Sequence, residues 1–275
     1  MSDRRGLAVH GLDISPDWDL KIDRSGLSHH HGELRSGHGG RRFPPSRTIT
    51  PDSVQTVNES FVFGVDLDGV CANYTAGFRE VVAADRGIDP EELPVGRSWG
   101  FEEWDLDEAN FDRLHRRAVA EERMLRHLPV MEDCADVLWR LSDAGVWIRI
   151  ITHRLYVNWG HAAVVSDTVT WLDEAAIPYR DICFLGDKPE VGADVYVDDA
   201  PHNVEALRQA GNEVIVYDQP YNQDVDGPRA ASWSDVEEMV LTLAAAHDAV
   251  QPQLPGIDAG ADRLGRHRRS DHGAR

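Results

Sequence analysis

The chain has 275 residues, 41% of them hydrophobic, and sets 28 Lys and Arg against 48 Asp and Glu for a formal charge of -20. That apolar content can build a packed core, while the acidic excess repels nucleic-acid backbones and anionic membranes and leaves no basic footprint for a polymer partner. An anionic substrate would need a local cation.

In chain order, residues 1–58 come first, rich in Gly, Ser, Arg, His and Pro, as in SGLSHHHGELRSGHGGRRFPPSRT. Apolar residues are too sparse there to bury much surface, so the segment reads as a disordered tail in which His29, His30 and His31 are solvated. The run FVFGVD, residues 61–66, is the first strand signal, and it ends on DLDGV, with Asp66 and Asp68 two positions apart. Carboxylates this close repel each other unless a cation or a proton sits between them. From about 73 to 131 the pattern changes to helix candidates at Tyr74 to Asp85 and Leu106 to Glu122. They are joined by PEELPVGRSWGFEEWD, which carries Trp99, Phe101 and Trp104. This insert reads as a small helical cap, and a cap excludes water from a reacting centre.

Next come a helix candidate at Glu132 to Ala144, the strand runs VWIRIIT, DICFLG and ADVYVD, a helix candidate at Pro201 to Ala210, and the strand run NEVIVYD. The remainder from 250 to 275 has the character of the first tail, which leaves residues 59–249 as the folded unit. Strands alternating with helices predict an α/β fold with a Rossmann-like parallel sheet covered by helices on both faces. Ligands bind such sheets beyond the carboxyl ends of the strands. At those ends stand Asp66 and Asp68, Thr152, Lys188, then Asp198 and Asp199. Cys71, Cys134 and Cys183 show no CxxC spacing, so neither a disulfide framework nor a zinc site is indicated. No apolar run approaches the ~20 residues of a membrane span, and the N-terminus lacks the apolar core of a signal peptide. A reducing cytoplasm is the expected setting.

Each signal also has a plainer reading. Asp-Gly is a common turn dipeptide, Lys188 beside Pro189 suits a solvated turn, and Asp198-Asp199 before Pro201 suits a helix cap. A calcium loop is ruled out because Val70 stands where that loop wants an acid or amide, and glycine is missing one place later. Taken together, the strand-end motifs DLDGV, the Thr of IITHR, the Lys of LGDKPEV and the acidic pair of VYVDDAP resemble the haloacid dehalogenase superfamily of phosphotransferases. GDK followed closely by ADVYVDD, with the helical insert after the first motif, resembles its 5'(3')-deoxyribonucleotidase branch. The likeness covers about Phe61 to Tyr217.

The resemblance implies a phosphomonoester hydrolase acting on (deoxy)nucleoside monophosphates, with Asp66 as nucleophile through an aspartyl-phosphate and Asp68 as general acid and base. It implies Thr152 and Lys188 on the transferring oxygens, with His153 beside them. Mg²⁺ is expected on Asp66, the main-chain carbonyl of Asp68, and Asp199, with Asp198 close behind; an oxygen-only ligand set suits that ion. Phe78, Trp99, Phe101 and Trp104 are candidates to contact the base, although aromatics in a small cap are also its natural core. Two departures stand out. His153-Arg154 follows the motif Thr where mammalian relatives have a small hydroxyl residue and proline, and Ala200 stands where they place an arginine; Arg154 is the candidate replacement charge. The partner implied is a small phosphorylated substrate, neither a nucleic-acid polymer nor a membrane, and a homodimer is compatible with the sequence. Alternatives are a phosphatase for a sugar phosphate, or a sensor of a phosphorylated ligand without catalysis.

Overall fold

The structure, a computed structural model, describes residues 60–155 and 159–247. The expected tails, with His29 to His31, lie outside the described residues. Strands β1 (Val62–Val65), β2 (Trp147–Thr152), β3 (Asp181–Phe184), β4 (Val195–Asp198), β5 (Val214–Tyr217) and β6 (Arg229–Ala230) form one sheet in the order β3-β2-β1-β4-β5-β6. Every pairing in it is parallel. Helices α1 (Tyr74–Arg86), α2 (Glu108–Ala120), α3 (Cys134–Asp143), α4 (His161–Glu174), α5 (Pro201–Gln209) and α6 (Trp233–Ala246) complete the α/β architecture. The expected fold class is therefore observed. Elements that carry no long apolar run, such as the two-residue β6, are what the strand patterns did not single out.

Burial follows from position in the sheet. All of β4 and β5 is buried, whereas β3 at the edge is only half-buried throughout, because an edge strand lacks a neighbour on one side. In β1, a side chain at Gly64 would press on Ile151 and Tyr196, so glycine lets the adjacent strands close up over the middle of the sheet.

Register then fixes the site. Val65 pairs with Ile150 on one side and Val197 on the other, and the Asp66 amide extends the ladder by donating to the Val197 carbonyl at 3.2 Å. Asp66 and Asp198 thus emerge level with each other. The chain reverses direction of winding between β1 and β4, so both carboxylates stand in the crevice where parallel sheets of this order bind ligands.

Between β1 and α3 the chain makes the excursion expected from sequence. Its two ends are tied together: the Asn73 amide donates to Pro129 O and the Met131 amide to Cys71 O, both at 2.8 Å, flanking a bridge between Ala72 and Val130. Asn73 caps α1 by accepting from the Ala76 amide, and Asp107 caps α2 by accepting from Asn110, each satisfying an otherwise orphaned helix donor. The buried faces of α1 and α2 contribute Phe78, Val82, Leu114 and Val119 to one apolar cluster continuous with the sheet.

Candidate active site

Lys188 opens a short 3-10 turn after β3 and points into the sheet edge. Its Nζ lies 2.7 Å from Asp66 Oδ1 and 2.6 Å from Asp198 Oδ2. The second Asp198 oxygen accepts from the Ala200 amide at 3.0 Å and from Asn203 Nδ2 at 3.3 Å. Asp198 thus has protein donors on both oxygens. Asp199 does not: Oδ2 accepts from the Tyr221 hydroxyl, while Oδ1 is buried without a hydrogen-bond partner. Carboxylate oxygens of Asp66, Asp198 and Asp199 lie within 4.8 Å of one another.

Three buried carboxylates stand around one ammonium group, and the titration of Asp66, Asp199 and Lys188 reflects the deficit of positive charge. Burial pushes the Asp66 carboxyl up to about 7, with Asp198 and Asp68 adding to the rise and Lys188 opposing it. Burial, then Asp66 and Asp198, hold Asp199 well above the ordinary carboxylate range. Lys188 moves above its ordinary value although burial works against its charge, because Asp198 and Asp66 outweigh that penalty. Leaving a buried oxygen such as Asp199 Oδ1 unpaired is costly, and an all-oxygen set with surplus negative charge fits a hard divalent cation. The residues present therefore fit a metal.

Asp68 sits apart from this cluster. Arg154 forks onto it, Nε to Oδ2 at 2.8 Å and Nη2 to Oδ1 at 2.7 Å, and the same guanidinium donates to Thr168 Oγ1 at 3.2 Å. Arg154, the candidate replacement charge, is held here by Asp68: its planar fork matches a carboxylate two-for-two. Thr152 ends β2, fully buried, and its Oγ1 accepts from the Arg154 amide at 3.3 Å, which leaves the hydroxyl proton free to donate elsewhere. His153 is half-buried, and burial, then Lys188, push its imidazole down to about 4, so it is neutral at neutral pH.

The structure thus brings Asp66, Lys188, Asp198 and Asp199 into one constellation and links Asp68 to Thr152 through Arg154. It does not bring the aromatic candidates together as a platform. Phe78 and Trp104 are 0% and 1% exposed and Phe101 is 5% exposed. Their rings pack on one another, with Phe78–Phe101 centroids 5.4 Å apart and Phe101–Trp104 centroids 4.9 Å apart. A ring enclosed by other rings has no face left for a base, so the base-contact expectation is corrected for Phe78 and Trp104, and Phe101 keeps only an edge. Trp99 is 47% exposed and reaches across to the rings of His202 and Tyr221, each 5.3 Å away.

Residues that the motifs missed include Asn203, Asn222 and Tyr221. Asn222 Nδ2 donates to Asp199 O and Tyr217 O, both at 2.8 Å, and holds the loop after β5 against the acidic pair. Nothing in QPYNQD announces such roles, because Asp199 lies beyond α5 and β5 in sequence.

Residues 60–247 match the family model described as 5' nucleotidase, deoxy (pyrimidine), cytosolic type C protein. A relative from Chlorobaculum tepidum described as "Putative 5'(3')-deoxyribonucleotidase" is 40% identical over 205 residues, spanning 74% of this chain and 97% of the relative. Among solved structures, the "Putative Phosphatase" from Clostridium difficile aligns with a TM-score of 0.49 at 13% identity, over 66% of this chain and 99% of its own. A HAD family hydrolase from Deinococcus radiodurans R1 aligns with a TM-score of 0.45 at 18% identity, over 70% of this chain and 99% of its own.

Proposed function

The chain belongs to the cytosolic type C 5' nucleotidase family and is a phosphatase, and from that premise we propose that it hydrolyses (deoxy)nucleoside 5'-monophosphates with Mg²⁺. The observation that carries this reading is Lys188 clamped between Asp66 and Asp198 beside the open Oδ1 of Asp199. Asp66 and Asp199 would hold the ion, with the Asp68 carbonyl as the family resemblance implies. Bound Mg²⁺ supplies charge neutralisation between the carboxylate and the phosphate dianion.

In this reading Lys188 holds Oδ1 of Asp66, and the other oxygen attacks phosphorus. The ester P–O bond breaks, Asp68 protonates the leaving alkoxide, and an aspartyl-phosphate remains on Asp66. Asp68 then takes a proton from water as that water attacks phosphorus, releasing inorganic phosphate and restoring both carboxyl groups. General acid-base help of this kind contributes typically ~10²–10⁴-fold. Each Asp68 oxygen takes one donor of the Arg154 fork and keeps a second lone pair for the proton. Thr152 and Lys188 hold the transferring oxygens, and the segment about 73–131 serves as the cap that keeps water out.

Phosphate release measured over nucleoside monophosphates, sugar phosphates and p-nitrophenyl phosphate, with Mg²⁺ and after chelation, tests the reading. Deoxynucleoside monophosphates are expected to be used best and chelation to abolish turnover. A preferred sugar phosphate would move the assignment to that substrate class, and turnover untouched by chelation would remove the metal from it.

A further inference from the structure

The loop after β5 approaches the acidic pair in a specific way. Gln219 Nε2 donates to Gly69 O at 2.7 Å, Asn222 secures the Asp199 main chain, and the Tyr221 hydroxyl reaches Asp199 Oδ2. Gly69 makes room for that contact: its φ is +89, and a Cβ there would collide with both Asp199 Oδ2 and the Tyr221 hydroxyl. The other face of Tyr221 belongs to the cap. The Arg97 guanidinium lies 4.4 Å from the Tyr221 ring centroid and 3.8 Å from that of Phe101, and Trp99 leans on the same tyrosine. A cavity of about 370 Å³ opens beside it, lined by Arg97, Ser98, Trp99, Glu103 and Gln223.

We propose that Tyr221 is the positioning residue of the metal site: by occupying Asp199 Oδ2 it fixes the carboxylate so that Oδ1 is presented to the cation, which makes Asp199 and not Asp198 the open ligand of the acidic pair. The inference rests on the metal reading above and adds to it the residue that aims the ligand. Two observations agree. Asp198 has donors on both oxygens, Lys188 on Oδ2 and Ala200 with Asn203 on Oδ1, so a cation there would compete with protein donors already in place. Asp199 has a donor on one oxygen only, and the other is buried and unpaired. Partners that orient a ligating carboxylate in this way typically matter 10–100-fold in metal affinity.

The test is Mg²⁺ affinity, measured by calorimetry and by the rise in melting temperature of the chelated protein, in wild type, Tyr221→Phe and Arg97→Met. Phenylalanine keeps the ring contacts with Arg97 and Trp99, so folding is retained and only the hydroxyl is lost. Tyr221→Phe is expected to weaken Mg²⁺ binding by about 10–100-fold, and Arg97→Met, which disturbs the cap contact but not the hydroxyl, by less than about threefold. Wild-type affinity in Tyr221→Phe would overturn the positioning role while leaving the metal reading intact. Equal losses in both variants would also overturn it, since Tyr221 would then act by seating the cap. A wild type that does not respond to Mg²⁺ would overturn the metal reading and this inference together.

Discussion

At the carboxyl edge of the sheet and in the cap interior, side chains are equally hidden from water and oppositely chosen. The edge buries Asp66, Lys188, Asp198 and Asp199, and the cap buries Phe78, Phe101, Trp104 and Leu114. A buried carboxylate costs free energy unless it is paired, and replacing buried ion pairs by apolar groups is often neutral or stabilising; the edge is therefore not what stability alone would select. Buried aromatics gain both from leaving water and from ring–ring geometry, about 0.5–1.5 kcal/mol per pair beyond area burial. The contrast separates residues whose burial stability alone does not explain from residues that packing explains.

The sharpest way to break that contrast is Asp66→Asn. Lys188 retains Asp198, and one negative charge leaves a cluster that has more carboxylates than ammonium groups, so the metal-free melting temperature should hold or rise while phosphate release falls by more than the ~10²–10³-fold cost of a lost oxyanion donor. Retention of more than a few per cent of activity, or a protein that no longer folds, would merge the two regions into one.

Trp104→Ala and Trp99→Ala form the converse pair. Trp104 is enclosed and its Nε1 donates to Pro94 O at 2.8 Å, so its removal should cost about 3–5 kcal/mol of stability and reduce nucleotide and p-nitrophenyl phosphate turnover in parallel. Trp99 is exposed, and its loss should leave stability nearly unchanged. If it touches the base, nucleotide use should weaken by about 1–3 kcal/mol, the range for base stacking, with p-nitrophenyl phosphate unaffected. Parallel losses for Trp99→Ala would place it with the packing residues.

A smaller effect lies in pH. His153 has a folded value near 4 against 6.5 for the free group, with His115 and His202 displaced downward by burial as well. A base whose folded value is depressed contributes stability present above the unfolded value and lost as pH falls through the folded one. Asp66 runs the other way without metal: raised from 3.8 to about 7, it stabilises at low pH and loses that contribution as pH rises through 7. In chelated protein these opposing slopes should flatten the melting temperature between about pH 4 and 7. With Mg²⁺, whose binding needs ionised carboxylates, the melting temperature should drop clearly over the same range on acidification. Identical slopes with and without metal, followed by circular dichroism, would argue against coupling between the carboxylates and a cation.

Much of the edge was legible in sequence because each element carries its chemistry at its own end. A short apolar run followed by Asp66 or Asp198 needs only parallel pairing for the carboxylates to converge, and the alternation of runs already predicts that pairing. What was not legible depends on contacts between distant residues. Arg154 meets Asp68 across 86 positions, and nothing near either residue says that the guanidinium will pair with that acid. The choice between Asp198 and Asp199 turns on which oxygens Ala200, Asn203, Lys188 and Tyr221 occupy, which is a matter of orientation. The cap aromatics were visible as a cluster, but exposure alone separates Trp99 from Phe78 and Trp104, and exposure depends on how α1 and the loop following it fold over one another.

The hydrogen bonds between Cys71 and Met131 and between Asn73 and Pro129 have a consequence for how the molecule can vary. The long excursion between them begins and ends on adjacent backbone, so the entropy of closing it grows only slowly with its length, and the sheet meets the same pair of rungs whatever lies beyond. The excursion can therefore lengthen or shorten without moving the strand ends on which Asp66 and Asp198 stand.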